Sequence, residues 1–214
     1  MSPKQIIDLT HIMTEDMPVY PGCAHPGLSV VFEYDCQVTQ LDISSHTGTH
    51  MDAPGHLFPE RTMLDQFPAS QFCGPALVID CTELKAGDKI TMEFIDRVKA
   101  MADEAEFILF YTGWSKYWGS REYFGDFPYI DDEVIDYLKS SRKKGVGVDV
   151  IGVDPISDEA LTVHRKLFFD SEIVVIENLA NLDKVGIELF MFFALPIKFA
   201  NADGSPIRAI AVIE

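Results

Sequence analysis

The chain is short of positive charge: 17 Lys and Arg stand against 34 Asp and Glu, a formal net charge of −17. So acidic a surface repels nucleic-acid phosphates and anionic membranes, and neither is an expected partner. The acids are spread along the chain without a run of like charges, which leaves solubility as their usual meaning. Cysteine is scarce as well. Cys23, Cys36, Cys73 and Cys81 form no C-x-x-C pair and no dense framework, so neither a zinc ribbon nor a disulfide scaffold is indicated. Cys73 and Cys81 read as packing residues beside strands, and a structural role is expected for Cys23 too, although its loop could face a site. Long apolar runs are missing. The most apolar stretch, Leu189 to Leu195, falls far below the roughly twenty residues a bilayer-spanning helix needs. No basic start followed by an apolar run and a small-residue cleavage site opens the chain, so a cytoplasmic location is the expectation.

What the chain does have is strand. Ser29–Tyr34, Gln40–Ser44, Ala76–Asp80, Phe107–Thr112, Val146–Val153, Ile173–Ile176, Phe190–Ile197 and Ile207–Ile213 are rich in β-branched and aromatic residues. Several run apolar without alternation, which predicts strands covered on both faces. Helices are predicted over Thr91–Met101 and Ile130–Lys143. The second has acids at its start, bases at its end and Gly145 as a stop. A third helix should begin near Ser157-Asp158 and carry His164. With no repeat or linker, residues 1–214 read as one mixed α/β domain with more strand than helix.

One segment concentrates the chemistry: His46-Thr47-Gly48-Thr49-His50-Met51-Asp52-Ala53-Pro54-Gly55-His56 holds three of the 6 histidines. Imidazole nitrogen and carboxylate oxygen are the ligands that zinc, manganese or iron accepts. In a straight strand His46 and His50 would stand roughly 13 Å apart, too far to meet one ion. The chain must bend between them, and Gly48 has the backbone freedom to do it. Pro54-Gly55 supplies a second turn before His56. Three ligands, His46, His50 and Asp52, would leave a divalent ion with open positions, the mark of a catalytic rather than a structural site. Glu177, ending the apolar strand Ile173–Ile176, would be costly unless paired or metal-bound. His56 is expected to be an acid/base: imidazole, with an ordinary pKa near 6.5, takes a proton from attacking water and returns it to a leaving nitrogen. Thr47 and Thr49 would orient the ligands. His11 reads as structural or as part of a pocket rim, and His25 as loop.

The run H-T-G-T-H-M-D-A-P-G-H resembles the H-x-G-T-H-x-D-x-P-x-H signature of the metal-dependent cyclase family, which includes bacterial kynurenine formamidase and isatin hydrolase. Ile7-Asp8-Leu9-Thr10-His11 and Met17-Pro18-Val19-Tyr20-Pro21-Gly22 resemble the family's opening segment. Val163-His164-Arg165, Ile176-Glu177-Asn178-Leu179 and Asn201-Ala202-Asp203-Gly204-Ser205-Pro206-Ile207-Arg208 resemble its closing segments, so the likeness spans nearly the whole chain. It implies the family's swivelling β/β/α fold. It also implies a second metal site, with Asp52 and Glu177 bridging and His164 binding only the second ion. One or two divalent ions per chain follow, zinc first and manganese as the alternative.

The implied activity is cleavage of a carbonyl–nitrogen bond in a small-molecule amide. Arylformamide hydrolysis, N-formylkynurenine to kynurenine in tryptophan catabolism, leads, and ring opening of a cyclic imide or lactam is the alternative. From a different class, a metal-binding protein without catalysis remains, which loss of His56 would have favoured. Three departures from formamidases stand out: Tyr20 where tryptophan is common, Cys23 where Asp is common, and an interval between His164 and Glu177 one residue longer. Glu172, within that interval, is a weaker candidate ligand. Tyr20 would stack on a flat substrate, and Tyr111, Trp114 and Trp118 would add to the same pocket or to a subunit interface. A homodimer or homotetramer is the default assembly.

Overall fold

A computed structural model describes residues 5–213. In chain order the strands are β1 (Gln5–Asp8), β2 (Gly27–Glu33), β3 (Cys36–Asp42), β4 (His50–Asp52), β5 (Cys73–Asp80), β6 (Lys89–Ile90), β7 (Phe107–Tyr111), β8 (Tyr129–Ile130), β9 (Gly145–Val148), β10 (Val174–Glu177), β11 (Phe190–Pro196) and β12 (Gly204–Ile213). The α-helices are α1 (Met92–Asp96), α2 (Lys99–Glu104), α3 (Asp132–Ser140) and α4 (Thr162–Phe168).

Eight strands form one sheet in the order β1-β12-β11-β5-β7-β9-β10-β4, and β12 also pairs with β4, which closes the sheet into a barrel. The long β12 makes closure possible. Its first residues pair with β4 (Gly204 opposite Asp52) and its last with β1 (Ile213 opposite Gln5). β5, β7, β9 and β10 are parallel, and helices connect them, as parallel strands require.

The unalternating apolar runs are explained by two cores. Ala76, Phe107, Leu109, Val174 and Ile176 fill the barrel with Met51, Phe192, Ala209 and Ala211. The intervening Leu77, Ile79, Ile108, Phe110 and Val175 point outward under Phe94, Ile95, Val134, Ile135, Leu138 and Leu167 of the helices. Burial on both faces is the expectation for a parallel sheet. Gly147 marks a tight point inside: a Cβ there would meet Leu109 and Leu179 at 2.6 and 2.7 Å.

Several boundaries differ from the sequence expectations. The helix expected over Thr91–Met101 is two, α1 and α2, broken at Val98, whose φ of −130° and ψ of 25° are not helical. The helix expected from Ile130 begins at Asp132, because Ile130 pairs with Ile90 in the small β6–β8 sheet. The helix expected from Ser157-Asp158 begins only at Thr162: the Asp158 carboxylate accepts hydrogen bonds from the Ala160 and Thr162 N–H groups, and Leu161 is left-handed. The strands expected over Ser29–Tyr34 and Gln40–Ser44 are β2 (Gly27–Glu33) and β3 (Cys36–Asp42). They form a hairpin exposed over most of its length, turning at Tyr34 and Asp35, whose positive φ values suit a tight hairpin turn.

Candidate metal centre

β4 places His50 and Asp52 two residues apart, on one side of the strand, while Met51 points into the barrel. β10 runs antiparallel beside it, with Glu177 opposite His50 and Val175 opposite Asp52. Glu177 therefore shares the outer face with the two β4 side chains. α4 lies over that face and lowers His164 onto it: His164 Nε2 is 3.4 Å from Asp52 Oδ2 and 3.3 Å from Glu177 Oε1. His46 arrives by the bend, with Gly48 at φ +68°. Its Nδ1 stands 2.6 Å from Asp52 Oδ1, and His50 Nε2 is 3.3 Å from the same oxygen.

A half-buried trio, His46–His56–Asp203, stands beside two further ligand groups, His46–His50–Asp52 and Asp52–His164–Glu177, and Asp52 belongs to both of these. In these two groups all but His46 are buried. Asp52 Oδ1 is buried and, despite its two close nitrogens, accepts no hydrogen bond. Nitrogens crowded around a buried carboxylate oxygen that accepts no hydrogen bond fit a cation better than they fit a hydrogen-bond network. Two imidazoles with one carboxylate, and one imidazole with two carboxylates, are donor sets for zinc or manganese.

The outward-facing ring atoms are also held. His50 Nδ1 lies 2.8 Å from the Gly48 carbonyl, His164 Nδ1 2.5 Å from Asp154 Oδ2, and His46 Nε2 2.9 Å from Asp203 Oδ2. Such contacts fix which nitrogen faces a metal. Asp154 also accepts hydrogen bonds from the Val163 and His164 N–H groups, tying the start of α4 to the site, and the Val153 N–H donates to Glu177 Oε1. Thr47 and Thr49, expected to orient ligands, instead hold the loop: Thr47 Oγ1 accepts from the Ser44 N–H, and Thr49 Oγ1 donates to the Asn178 carbonyl.

Charge in the cluster is strongly coupled. Burial pushes the Asp52 carboxyl up, but His50 and His46 outweigh it and hold it well below the usual carboxylate range. Burial also opposes a charge on His46, yet Asp52 and Asp203 raise it to about 9. His164 is likewise lifted well above its ordinary value, against burial, by Asp154, Asp52 and Glu177. Protons on these imidazoles balance the carboxylates, the task a divalent ion performs when bound.

His56 closes a short 3-10 turn, Pro54–His56, and stays outside both groups built on Asp52. Its Nδ1 lies 3.2 Å from Asp203 Oδ2, and its ring centroid is 4.1 Å from that of His46. Burial pulls its pKa below the ordinary value. A cavity of about 270 Å³ opens over the cluster, lined on one side by His46, His50, Asp52, His56, His164 and Glu177. Pro18, Val19, Tyr20, Ile151 and Leu161 give it an apolar wall.

Tyr20 is thus brought to the site. Cys23, expected to be structural, is exposed and lines the cavity. Glu172 is not brought in; it pairs with Arg61 at 2.9 Å. Tyr111 and Trp118 line a separate, larger cavity with His11, whose ring stacks on Trp118 at 3.9 Å, and Trp114 Nε1 donates to the Tyr123 carbonyl. Asp203 and Asp154 went unassigned in the sequence. Their signals were the Asn201–Arg208 segment and the Asp154-Pro155 turn before α4, but nothing in the spacing tied either carboxylate to a histidine.

Residues 7–155, more than half of the chain, match the family model described as "Putative cyclase". The chain is 32% identical to kynurenine formamidase of Geobacillus thermodenitrificans (strain NG80-2), over 95% of each protein. It superposes on isatin hydrolase A from Labrenzia aggregata, bound to benzyl benzoate, with a TM-score of 0.83 and 28% identity, covering 98% of this chain and 94% of that one. An isatin hydrolase bound to the product analogue thioisatinate shares the fold at a TM-score of 0.87 and 24% identity, over 98% and 92% of the two chains. The chain belongs to the cyclase family.

Proposed function

We propose that this protein is a metal-dependent hydrolase of a small arylformamide, with N-formylkynurenine as the first substrate to test. The observation that carries the reading is His56: an imidazole on the cavity wall that shares no ligand group with Asp52, stands instead with His46 and Asp203, and is backed by the Asp203 carboxylate. His46, His50 and Asp52 would hold one divalent ion, and Asp52, His164 and Glu177 a second, zinc ahead of manganese. Such an ion lowers the pKa of water toward about 7 and polarises a carbonyl.

The chain's own residues do the rest. Burial keeps His56 neutral at neutral pH, so it can accept a proton from the attacking water. The Asp203 carboxylate at Nδ1 holds the ring and steadies the imidazolium. The same imidazole then returns the proton to the departing aryl nitrogen. No protein nucleophile is needed. Tyr20 and the apolar wall take the aromatic body of the substrate and exclude water from it.

Full-length similarity to kynurenine formamidase supports the amide class. A second reading, opening of a cyclic amide, draws support from the likeness to isatin hydrolase A and from Tyr20 and Cys23, which depart from formamidase residues. Metal analysis coupled to parallel kinetics on N-formylkynurenine, formanilide and isatin tests both. Fast ring opening of isatin beside negligible formamide turnover reverses the order, and no turnover by the metal-loaded protein removes both. The acidic surface, without a helix among the described residues long and apolar enough to cross a membrane, fits a small-molecule substrate. A homodimer or homotetramer in the cytoplasm completes the proposal, with light scattering as the check on assembly.

A further inference from the structure

Leu161 stands at the N-terminal boundary of α4 with φ 52° and ψ 52°, a left-handed conformation that a branched L-residue adopts only under strain. Tyr34, Asp35, Arg142, Asn178, Asn181 and Asn201 are the other non-glycine residues with positive φ among those described, so Leu161 is the sole aliphatic one. Glycine or asparagine would occupy the position more cheaply. The conformation is imposed from outside: the Leu161 N–H donates to the Asp158 carbonyl, and the Asp158 carboxylate takes the flanking Ala160 and Thr162 N–H groups. Core packing does not explain the leucine, because its side chain joins neither hydrophobic core. It lines the cavity over the cluster, on the apolar wall that includes Tyr20. Strain held in place by its surroundings, at a side chain that supports no core, marks a residue retained for what it touches.

We infer that Leu161 is a specificity-determining residue that packs against the apolar body of the substrate. Rooted three positions before His164, it couples the apolar wall to the helix that carries a cluster imidazole. Truncating it removes contact with an aromatic substrate and leaves the reacting groups in place, so binding suffers more than chemistry. The inference rests on the amide-hydrolase reading for its kinetic test, and a binding measurement separates the two.

The experiment compares Leu161→Gly and Leu161→Met with wild type, all zinc-loaded, using formanilide and N-methylformamide. Glycine relieves the left-handed strain but frees the unfolded chain, and these effects oppose, so the thermal midpoint should stay within about 3 °C of wild type. KM for formanilide should rise about tenfold with kcat changed by less than about threefold, and the preference for formanilide should fall about tenfold. Leu161→Met should recover most of it. A large fall in midpoint with unchanged KM would show a structural residue and overturn the inference, as would an unaltered preference. Calorimetric binding of 2-aminoacetophenone, an aromatic product-like probe, is read in parallel. If wild type hydrolyses neither formamide, the amide reading falls, and a tenfold binding loss in Leu161→Gly with recovery in Leu161→Met sustains the inference. Equal binding, or none by wild type, overturns it.

Discussion

Asn178 Nδ2 donates to the Gly48 carbonyl at 3.0 Å, the same oxygen that faces His50 Nδ1. One amide at the end of β10 thereby holds the bend that brings His46 and His50 together. Tyr123 holds the amide in turn, donating its hydroxyl to Asn178 Oδ1 at 2.7 Å from a fully buried ring. Tyr123→Phe should cost about 1–3 kcal/mol in urea unfolding, because it leaves a buried acceptor without its donor. Asn178→Ala should cost at least as much and weaken metal binding, since the Gly48 carbonyl loses its anchor. Metal affinity that survives Asn178→Ala unchanged would show that the bend holds itself.

Asp203 touches both His46 and His56 through one oxygen. Asp203→Asn keeps the shape and removes the charge. Metal affinity should fall roughly 10–100-fold, the usual cost of losing a partner behind a ligand, and turnover should fall even at saturating metal. A variant with wild-type kcat would exclude Asp203 from the acid/base step.

His56→Ala separates the roles within the histidine cluster. Turnover should fall about 10²–10⁴-fold, the usual range for a lost acid/base, with metal content measured by mass spectrometry nearly intact. A variant purified without metal would make His56 a ligand.

Chelation should loosen the fold as well as stop turnover, because Asp52, Glu177 and their imidazoles lie within 4.8 Å of one another, group by group. At free zinc one hundred times Kd, the gain in unfolding free energy should be about 2.7 kcal/mol. Identical urea midpoints with and without metal would mean that no ion is held by the folded state.

His11, in the separate cavity, gives a pH signature of its own. Burial lowers its pKa to about 4, against an unfolded value near 6.5. As pH falls from about 6.5 to about 4, the unfolded chain takes up a proton that the folded chain refuses, so stability is lost across that window. His11→Phe keeps an aromatic ring against Trp118 and removes the titration. Urea unfolding at several pH values should show wild type losing more stability than the variant on acidification. Parallel curves would sink the assignment.

The sequence by itself carried the ligand types, their spacing and the need for a bend at Gly48, because a metal's reach is short and a strand's rise is constant. It also carried the parallel core, through apolar runs too continuous for a sheet wetted on one face. Neither the closure of the barrel nor the route of α4 was legible. Closure depends on three residue pairs at the start of β12, and short strands such as β4 have no periodicity to read. The start of α4 depends on Asp158 and on a left-handed leucine, which local propensity opposes. Asp203 stands 157 residues from His46 and 147 from His56, and Asp154 stands 10 from His164. Residue identity settled which groups could bind a cation. Only the tertiary structure decided which carboxylate stands behind which imidazole, because such pairs form where strand ends and a helix meet in space, at separations along the chain that no local pattern encodes.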